Sequence, residues 1–284
     1  MGNDGQLRAT TITPQVQRWL VKPSAVSILH IFDQAFNLID SEGEIISLVQ
    51  PKIGAGPFAI VLAEERPFST IISPHNFVHK TANHLQIGGL HIDLGTAELW
   101  QPRPNWPLLR EQQSLWLPLL PVLQTAVAQE QHRLTVGSPA HFAEHFQQAT
   151  IAMQQAIAQT NEDQLQAAVA TLAGLGPGLT PAGDDFLLGV LLGLWATRPE
   201  AEVIGLAEIV LQTAVPRTTQ LSAAWLTAAA RGEAVLAWHH FVEALLARTA
   251  WELPVNAILD TGATSGVAAL LGFMAAISTA LRTH

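Results

Sequence analysis

The spacing of apolar positions changes once along this chain, near Pro107. Before that point they fall in short runs or alternate with polar residues, which is the period of a pleated strand. Residues 25–31 (AVSILHI) read as a strand. Residues 35–39 and 45–49 flank Asp40, Ser41, Glu42 and Gly43, and so predict a hairpin. A Gly54-Ala55-Gly56-Pro57 turn leads into an apolar strand over 58–62, and further strands are expected at 70–72 and 90–94. Residues 1–23 read as a polar lead with one short helix around 14–20, and Pro102, Pro104 and Pro107 punctuate the end of this half.

After Pro107 the composition shifts to Ala, Leu, Gln and Glu, and apolar positions recur at three and four. Helices are predicted over 107–130, 138–159, 161–173, 180–196, 200–214, 218–231, 233–250, 253–260 and 265–281. Ser138-Pro139 carries an N-cap and first-turn signal, and Asn161 followed by Glu162 and Asp163 carries another. The predicted class is therefore α+β. A lead at 1–23 precedes a mostly β domain at 24–105, barrel or sandwich-like, and an all-α, Ala/Leu-rich domain follows at 106–284.

Composition narrows the function. At 284 residues the chain can bury full cores in one large or two ordinary domains. It is 49% hydrophobic and only 13% charged, which suggests buried helices and a subunit interface, so a homo- or hetero-oligomer is expected. A net charge of −9 with no Lys/Arg cluster argues against nucleic acid as a partner. With no Cys, disulfides and thiolate metal sites are excluded. The first residues lack an apolar run, and the most apolar stretch, 186–196, is too short to span a bilayer, so the expectation is a cytoplasmic protein with no membrane partner.

The stretch 174–195 (GLGPGLTPAGDDFLLGVLLGLW) carries the candidate chemistry. Glycines admit left-handed backbone and let a ligand approach amide N–H groups. A helix start adds free amides and the positive end of the dipole, an arrangement that attracts anions. Thr180-Pro181 is one N-cap pair, and Asp184 or Asp185 capping a later start is the alternative. The competing structural explanation is a tight turn with carboxylates favoured by the dipole alone. The loop is not a Walker A loop, since no Lys-Ser or Lys-Thr follows, and a helical rather than a strand segment precedes it.

An internal echo adds a second group. Gly262-Ala263-Thr264-Ser265-Gly266 aligns with 178–183 with one gap, and both are followed by Leu-Leu-Gly, at 187–189 and 270–272. Two such entrances facing one pocket would each offer amides and a hydroxyl. Chance likeness between small-residue helix starts is the alternative. The candidate anion-binding residues are Gly176, Gly178, Thr180, Gly183, Thr264, Ser265 and Gly266, with Thr218, Thr219 and Ser222 as weaker ones. His75/His79 and His141/His145 sit at i, i+4, but neither pair belongs to an HExxH motif, and zinc is disfavoured. Lys52 reads as a surface lysine rather than a ligand group, and no Gly-x-Ser-x-Gly elbow supports a hydrolase triad.

GLGPGLTPAGDDFLLG, with 54–58 upstream and Gly262-Ala-Thr-Ser-Gly downstream, resembles a bacterial family that includes AllH (YlbF), a subunit of oxamate carbamoyltransferase. Where the family continues the second entrance with Asp, this chain has Val267 and Ala268. The resemblance implies a subunit of a multi-subunit transferase of allantoin degradation, which converts oxalurate and phosphate into oxamate and carbamoyl phosphate. Its implied partners are the other subunits and a small anionic metabolite: carbamoyl phosphate, phosphate, or an oxamate or oxalurate type acid. Asp184 and Asp185 are the candidate catalytic residues. Bare anions would be repelled by them, so they read as ligands of Mg²⁺, the one candidate cofactor, or as acceptors that orient the loop. The alternative from another class is a non-catalytic assembly or regulatory subunit in which the loop is structural.

Overall fold

The computed structural model describes residues 6–136 and 141–280 and divides into two compact units, 1–102 and 103–284. Unit 1 is built on β1 (Gln6–Ile12), α1 (Pro14–Val21), β2 (Val26–Ile31), β3 (Ala35–Asp40), β4 (Ile45–Val49), β5 (Ala59–Leu62), α2 (Phe68–Ile71), β6 (Val78–Lys80), β7 (His84–Ile87), β8 (Leu90–Asp93) and β9 (Glu98–Leu99). The strands join in the order β2-β3-β4-β5-β1-β8-β7-β6, with β9 beside β1, in a nearly closed, barrel-like sheet.

The 35–49 hairpin forms with Ile39 opposite Ile45. Its turn is held by the Asp40 carboxylate, which accepts from the Glu42 and Glu44 amides at 2.9 Å each. Two expectations are corrected. The polar lead enters the sheet from Gln6, and β1 pairs with β5 on one side and β8 on the other. Leu7, Ala9 and Ile12 are its buried positions, an alternation masked in the sequence by the polar residues between them. Residues 68–71 form the short helix α2, where a strand was expected at 70–72. Pro67 stands at its N-cap, and Ile72 returns an amide bond to the Phe68 carbonyl.

Unit 2 holds α3 (Trp106–Glu111), α4 (Gln113–Trp116), α5 (Leu120–Glu130), α6 (Phe142–Gln159), α7 (Glu162–Leu172), α8 (Ala182–Thr197), α9 (Glu200–Ala214), α10 (Gln220–Ala230), α11 (Leu236–Ala247), α12 (Glu252–Leu259) and α13 (Ser265–Ala280). The helix expected over 107–130 is broken into α3, α4 and α5, with a short 3-10 segment at Leu117–Leu119. Pro118 and Pro121 cannot donate to a continuous ladder. The Ser138-Pro139 signal lies outside the described residues. Asn161 caps α7 as its sequence signals, its side chain accepting from the Gln164 amide at 2.9 Å.

Helix α8 is the centre of this unit. All its residues are buried except Leu188 and Thr197, which are half-buried, so the helix is apolar all round instead of on one stripe. It packs most closely on α13. A Cβ on Gly189 would fall 1.8 Å from the Ala269 carbonyl oxygen, one on Gly193 2.7 Å from that of Phe273, and one on Gly272 1.9 Å from that of Phe186. The pairs 189 with 269 and 193 with 273 rise together, so the two helices run parallel with their N-termini side by side.

Candidate functional site

The Gly-rich loop runs from the end of α7 to the start of α8. Gly174, Gly176 and Gly178 have φ of 73°, 120° and 97°, which L side chains adopt only under strain. Gly183 has a different reason to be glycine: a Cβ there would lie 2.0 Å from the Leu172 carbonyl oxygen. The loop therefore folds the first turn of α8 directly onto the last turn of α7.

Helix α8 starts one residue later than the Thr180-Pro181 pair predicts. Pro181 is its N-cap, with no side-chain cap bond, and both Asp184 and Asp185 lie in the first turn. The amides of that turn are largely engaged. Gly183 donates to the Leu175 carbonyl at 2.8 Å, and Asp184 and Asp185 donate to that of Pro181 at 2.9 and 3.1 Å. The N–H groups of Gly176, Gly178, Leu179, Thr180 and Ala182 meet no acceptor among the described residues.

Asp184 is buried and bridges three elements. One carboxylate oxygen accepts from the Gly174 amide at 2.9 Å, and the other accepts from the Thr218 hydroxyl just before α10. Burial raises its pKa, against the opposing pull of the bonds from Thr218, Gly174 and Ser222. Thr219, the N-cap of α10, donates its hydroxyl to the Leu179 carbonyl at 2.6 Å and accepts from the Ser222 amide at 3.0 Å. Thr218, Thr219 and Ser222 thus anchor the loop from the α10 side.

Asp185 is placed differently. Its residue is 7% exposed, and its Oδ2 is buried with no hydrogen-bond partner. The parallel start of α13 brings Ser265 beside it, and the Ser265 hydroxyl lies 3.1 Å from that of Thr180. Both hydroxyl residues are half-buried, and the carboxyl between the two helix starts is buried. Burial pushes the Asp185 carboxyl up to about 8; the Ser265 and Thr180 hydroxyls pull it down, and the neighbouring Asp184 adds to the rise. Two carboxyls side by side in this setting titrate as a coupled pair.

The second entrance is braced by a residue that the motif search passed over. Arg133 donates to the carbonyls of Leu259 at 2.9 Å, Ala263 at 3.2 Å and Gly262 at 3.3 Å, which holds the turn before Ser265. Its only sequence signal is that it is one of few cations in a lysine-free half. Thr264 accepts at its carbonyl from the Ala268 amide at 3.0 Å, and Gly266 packs a would-be Cβ 1.8 Å from the Ile258 carbonyl oxygen. Of the nine candidate site residues, Thr180, Asp185 and Ser265 meet at one point. Gly176 and Gly178 lie in the loop, and Asp184, Gly183, Thr264 and Gly266 are engaged in hydrogen bonds or backbone packing at the two helix starts.

No group of three or more His, Asp or Glu able to hold a metal occurs among the described residues. The His141 and His145 rings stand 5.6 Å apart at the start of α6, His79 lies on β6 with His75 in the turn before it, and Lys52 is exposed in the turn after β4. No described helix is long and apolar enough to cross a membrane.

Two family models match the chain. The family model described as oxamate carbamoyltransferase subunit AllH matches residues 172–277, which run from the end of α7 through the loop to α13. The model described as the AllH family N-terminal domain matches residues 8–99. No solved structure matches the chain. Both halves answer to the same family, and the residues that meet at Asp185 all fall inside the first match: the chain belongs to the AllH family.

Proposed function

We propose that this chain acts as a subunit of a carbamoyl-transferring enzyme of the oxamate carbamoyltransferase type, and that it holds a small anion where α8 and α13 begin. The observation that carries this is the buried, unpartnered Oδ2 of Asp185, a carboxyl bonded by the paired Thr180 and Ser265 hydroxyls. A buried polar atom without a partner costs about 1–3 kcal/mol, which a bound ligand would recover. The open amides of Gly176 and Gly178 would hold the anion's oxygens, aided by two helix dipoles.

In the transfer, the carbamoyl group leaves the oxalurate nitrogen for a phosphate oxygen, and that nitrogen gains a proton as oxamate forms. Asp185, pushed up to about 8, keeps a proton at neutral pH and is the group in position to exchange it. Asp184 serves as the brace that orients the loop, since both its oxygens already accept bonds. Mg²⁺ would meet here only the Asp185 carboxyl, which keeps its proton at neutral pH, and an Asp184 whose two oxygens already accept bonds, so these residues do not by themselves fit a Mg²⁺ site.

The test is reconstitution of the enzyme from its subunits, with Asp185→Asn in this chain and with Mg²⁺ present or withheld. The expected result is an assembled complex that has lost most of its carbamoyl transfer. A second reading, a purely structural subunit, draws on the engaged amides of Gly183, Asp184 and Asp185. Full activity in an assembled Asp185→Asn complex would establish that reading instead.

A further inference from the structure

We infer that Arg133 is a positioning residue for the proposed site: it sets where Ser265 stands, and through Ser265 it acts on Asp185, without touching the ligand. The inference rests on the reading of the α8–α13 junction as the ligand site, and it adds to that site a residue from a third element.

The turn between α12 and α13 is short of donors. Leu259 is the last residue of α12, so no further helical amide follows to meet its carbonyl. Among the described residues, no backbone N–H donates to the carbonyls of Leu259, Gly262 or Ala263. Arg133 supplies all three, from Nη1 to Leu259 at 2.9 Å, from Nε to Ala263 at 3.2 Å and from Nη2 to Gly262 at 3.3 Å. A rigid guanidinium fork can meet three carbonyls of one turn together, and its charge also suits the negative end of the α12 dipole.

The turn is gripped on both sides of Ser265. Arg133 stands in a 3-10 turn, Gln131–Leu134, whose Leu134 side chain is buried in the core of the helical unit. That anchors the fork. One residue beyond Ser265, Gly266 lies so near the Ile258 carbonyl oxygen that a Cβ would fall 1.8 Å from it. Ser265 is therefore placed between the Arg133 bond at Ala263 and the close contact at Gly266. Its hydroxyl reaches that of Thr180 at 3.1 Å and bonds the Asp185 carboxyl.

Arg133 is not itself a ligand group. Each of its three guanidinium nitrogens already donates to a carbonyl, and Glu130 lies 3.7 Å from Nη1. An anion could take the guanidinium only by releasing the turn.

The experiment is carbamoyl transfer by the reconstituted enzyme, measured per assembled complex, with Arg133→Met, Arg133→Lys, Ser265→Ala, Asp185→Asn and the Arg133→Met/Ser265→Ala double variant. Arg133→Met should lower kcat/KM by about tenfold, and the double variant should fall no more than about twofold below the weaker single one, because both changes remove the same placed hydroxyl. Arg133→Lys should lose less, about threefold, since one ammonium cannot reproduce the fork. Hydrogen exchange of the chain is the second readout. The Gly266 and Ala268 amides, bonded to the Thr261 and Thr264 carbonyls at 3.0 Å each, should exchange at least about tenfold faster in Arg133→Met, with the Gly183 amide unchanged. Losses of Arg133→Met and Ser265→Ala that multiply would overturn the inference and leave the site standing, as would wild-type transfer in either Arg133 variant while Ser265→Ala is impaired. Wild-type transfer in both Ser265→Ala and Asp185→Asn would overturn the site itself. If Arg133→Met does not assemble, Arg133→Lys alone and combined with Ser265→Ala decides by the same comparison.

Discussion

The Thr180 and Ser265 hydroxyls lie 3.1 Å apart although 85 residues separate them in the chain. Their meeting follows from the packing of α8 on α13. Gly189, Gly193 and Gly272 let each backbone touch the other, so two parallel helices start almost together, which brings Thr180, just before α8, beside Ser265, the first residue of α13.

That pairing should appear as coupling. Thr180→Ala and Ser265→Ala should each leave the fold intact and lower stability by about 0.5–1.5 kcal/mol. The double variant should lose less than the sum, because either single change already breaks the shared bond. Urea unfolding of the four proteins measures this, and strict additivity would show that the hydroxyls act independently.

Asp184 should matter more for stability than its neighbour. Asp184→Ala leaves the Gly174 amide and the Thr218 hydroxyl without their acceptor, at about 1–3 kcal/mol for each group that remains buried. Chemical denaturation should show a large loss, and Asp184→Asn should recover part of it by retaining one acceptor oxygen.

The close helix contact predicts opposite signs for two glycine changes. Gly189→Ala drives a Cβ to 1.8 Å from the Ala269 carbonyl and must part α8 from α13, a loss of about 1–3 kcal/mol or more. A Cβ at Gly205 in α9 would meet nothing within 4 Å. Gly205→Ala should therefore stabilise by about 0.4–1 kcal/mol. Melting temperatures of the two variants against wild type separate the cases.

Asp185 should make stability depend on pH. Its carboxyl titrates near 3.8 unfolded and is pushed up to about 8 when folded. Between those values the native state holds more protons than the unfolded one, so stability falls as pH rises from about 4 to about 8 and levels off above. The raised pKa of Asp184 acts in the same direction. Asp185→Asn removes its part of this slope, so wild type should lose more stability than the variant between pH 5 and pH 8 in urea titrations. Parallel curves would show that Asp185 is not the group responsible.

Much of the candidate site's local geometry is legible in the sequence. The glycine spacing at 174–183 and its echo at 262–266 named both entrances, and Asn161 and Asp40 behaved as their turn and cap chemistry predicts. What stayed hidden has identifiable causes. The Gly183 amide is turned to Leu175 by the contact between α7 and α8, which no helix-start rule contains. Asp184 and Asp185 are adjacent and identical in type, yet one is fully bonded and the other has a bare oxygen, because successive helix positions point about 100° apart at different neighbours. Arg133 carried no motif, and its three carbonyl partners lie more than a hundred residues away.

The sequence alone determined the class of the fold, because hydrophobic period is a local property: two-residue alternation makes strands, and three-to-four spacing makes helices. It also determined where the chain must bend, since glycine and proline restrict or release φ residue by residue. The tertiary structure decided which strand became central and which of two carboxyls keeps an unpartnered oxygen. It also decided which pair of hydroxyls, distant in the chain, came within hydrogen-bond reach. Those outcomes depend on how buried faces pack against one another, and packing joins residues that no local pattern connects.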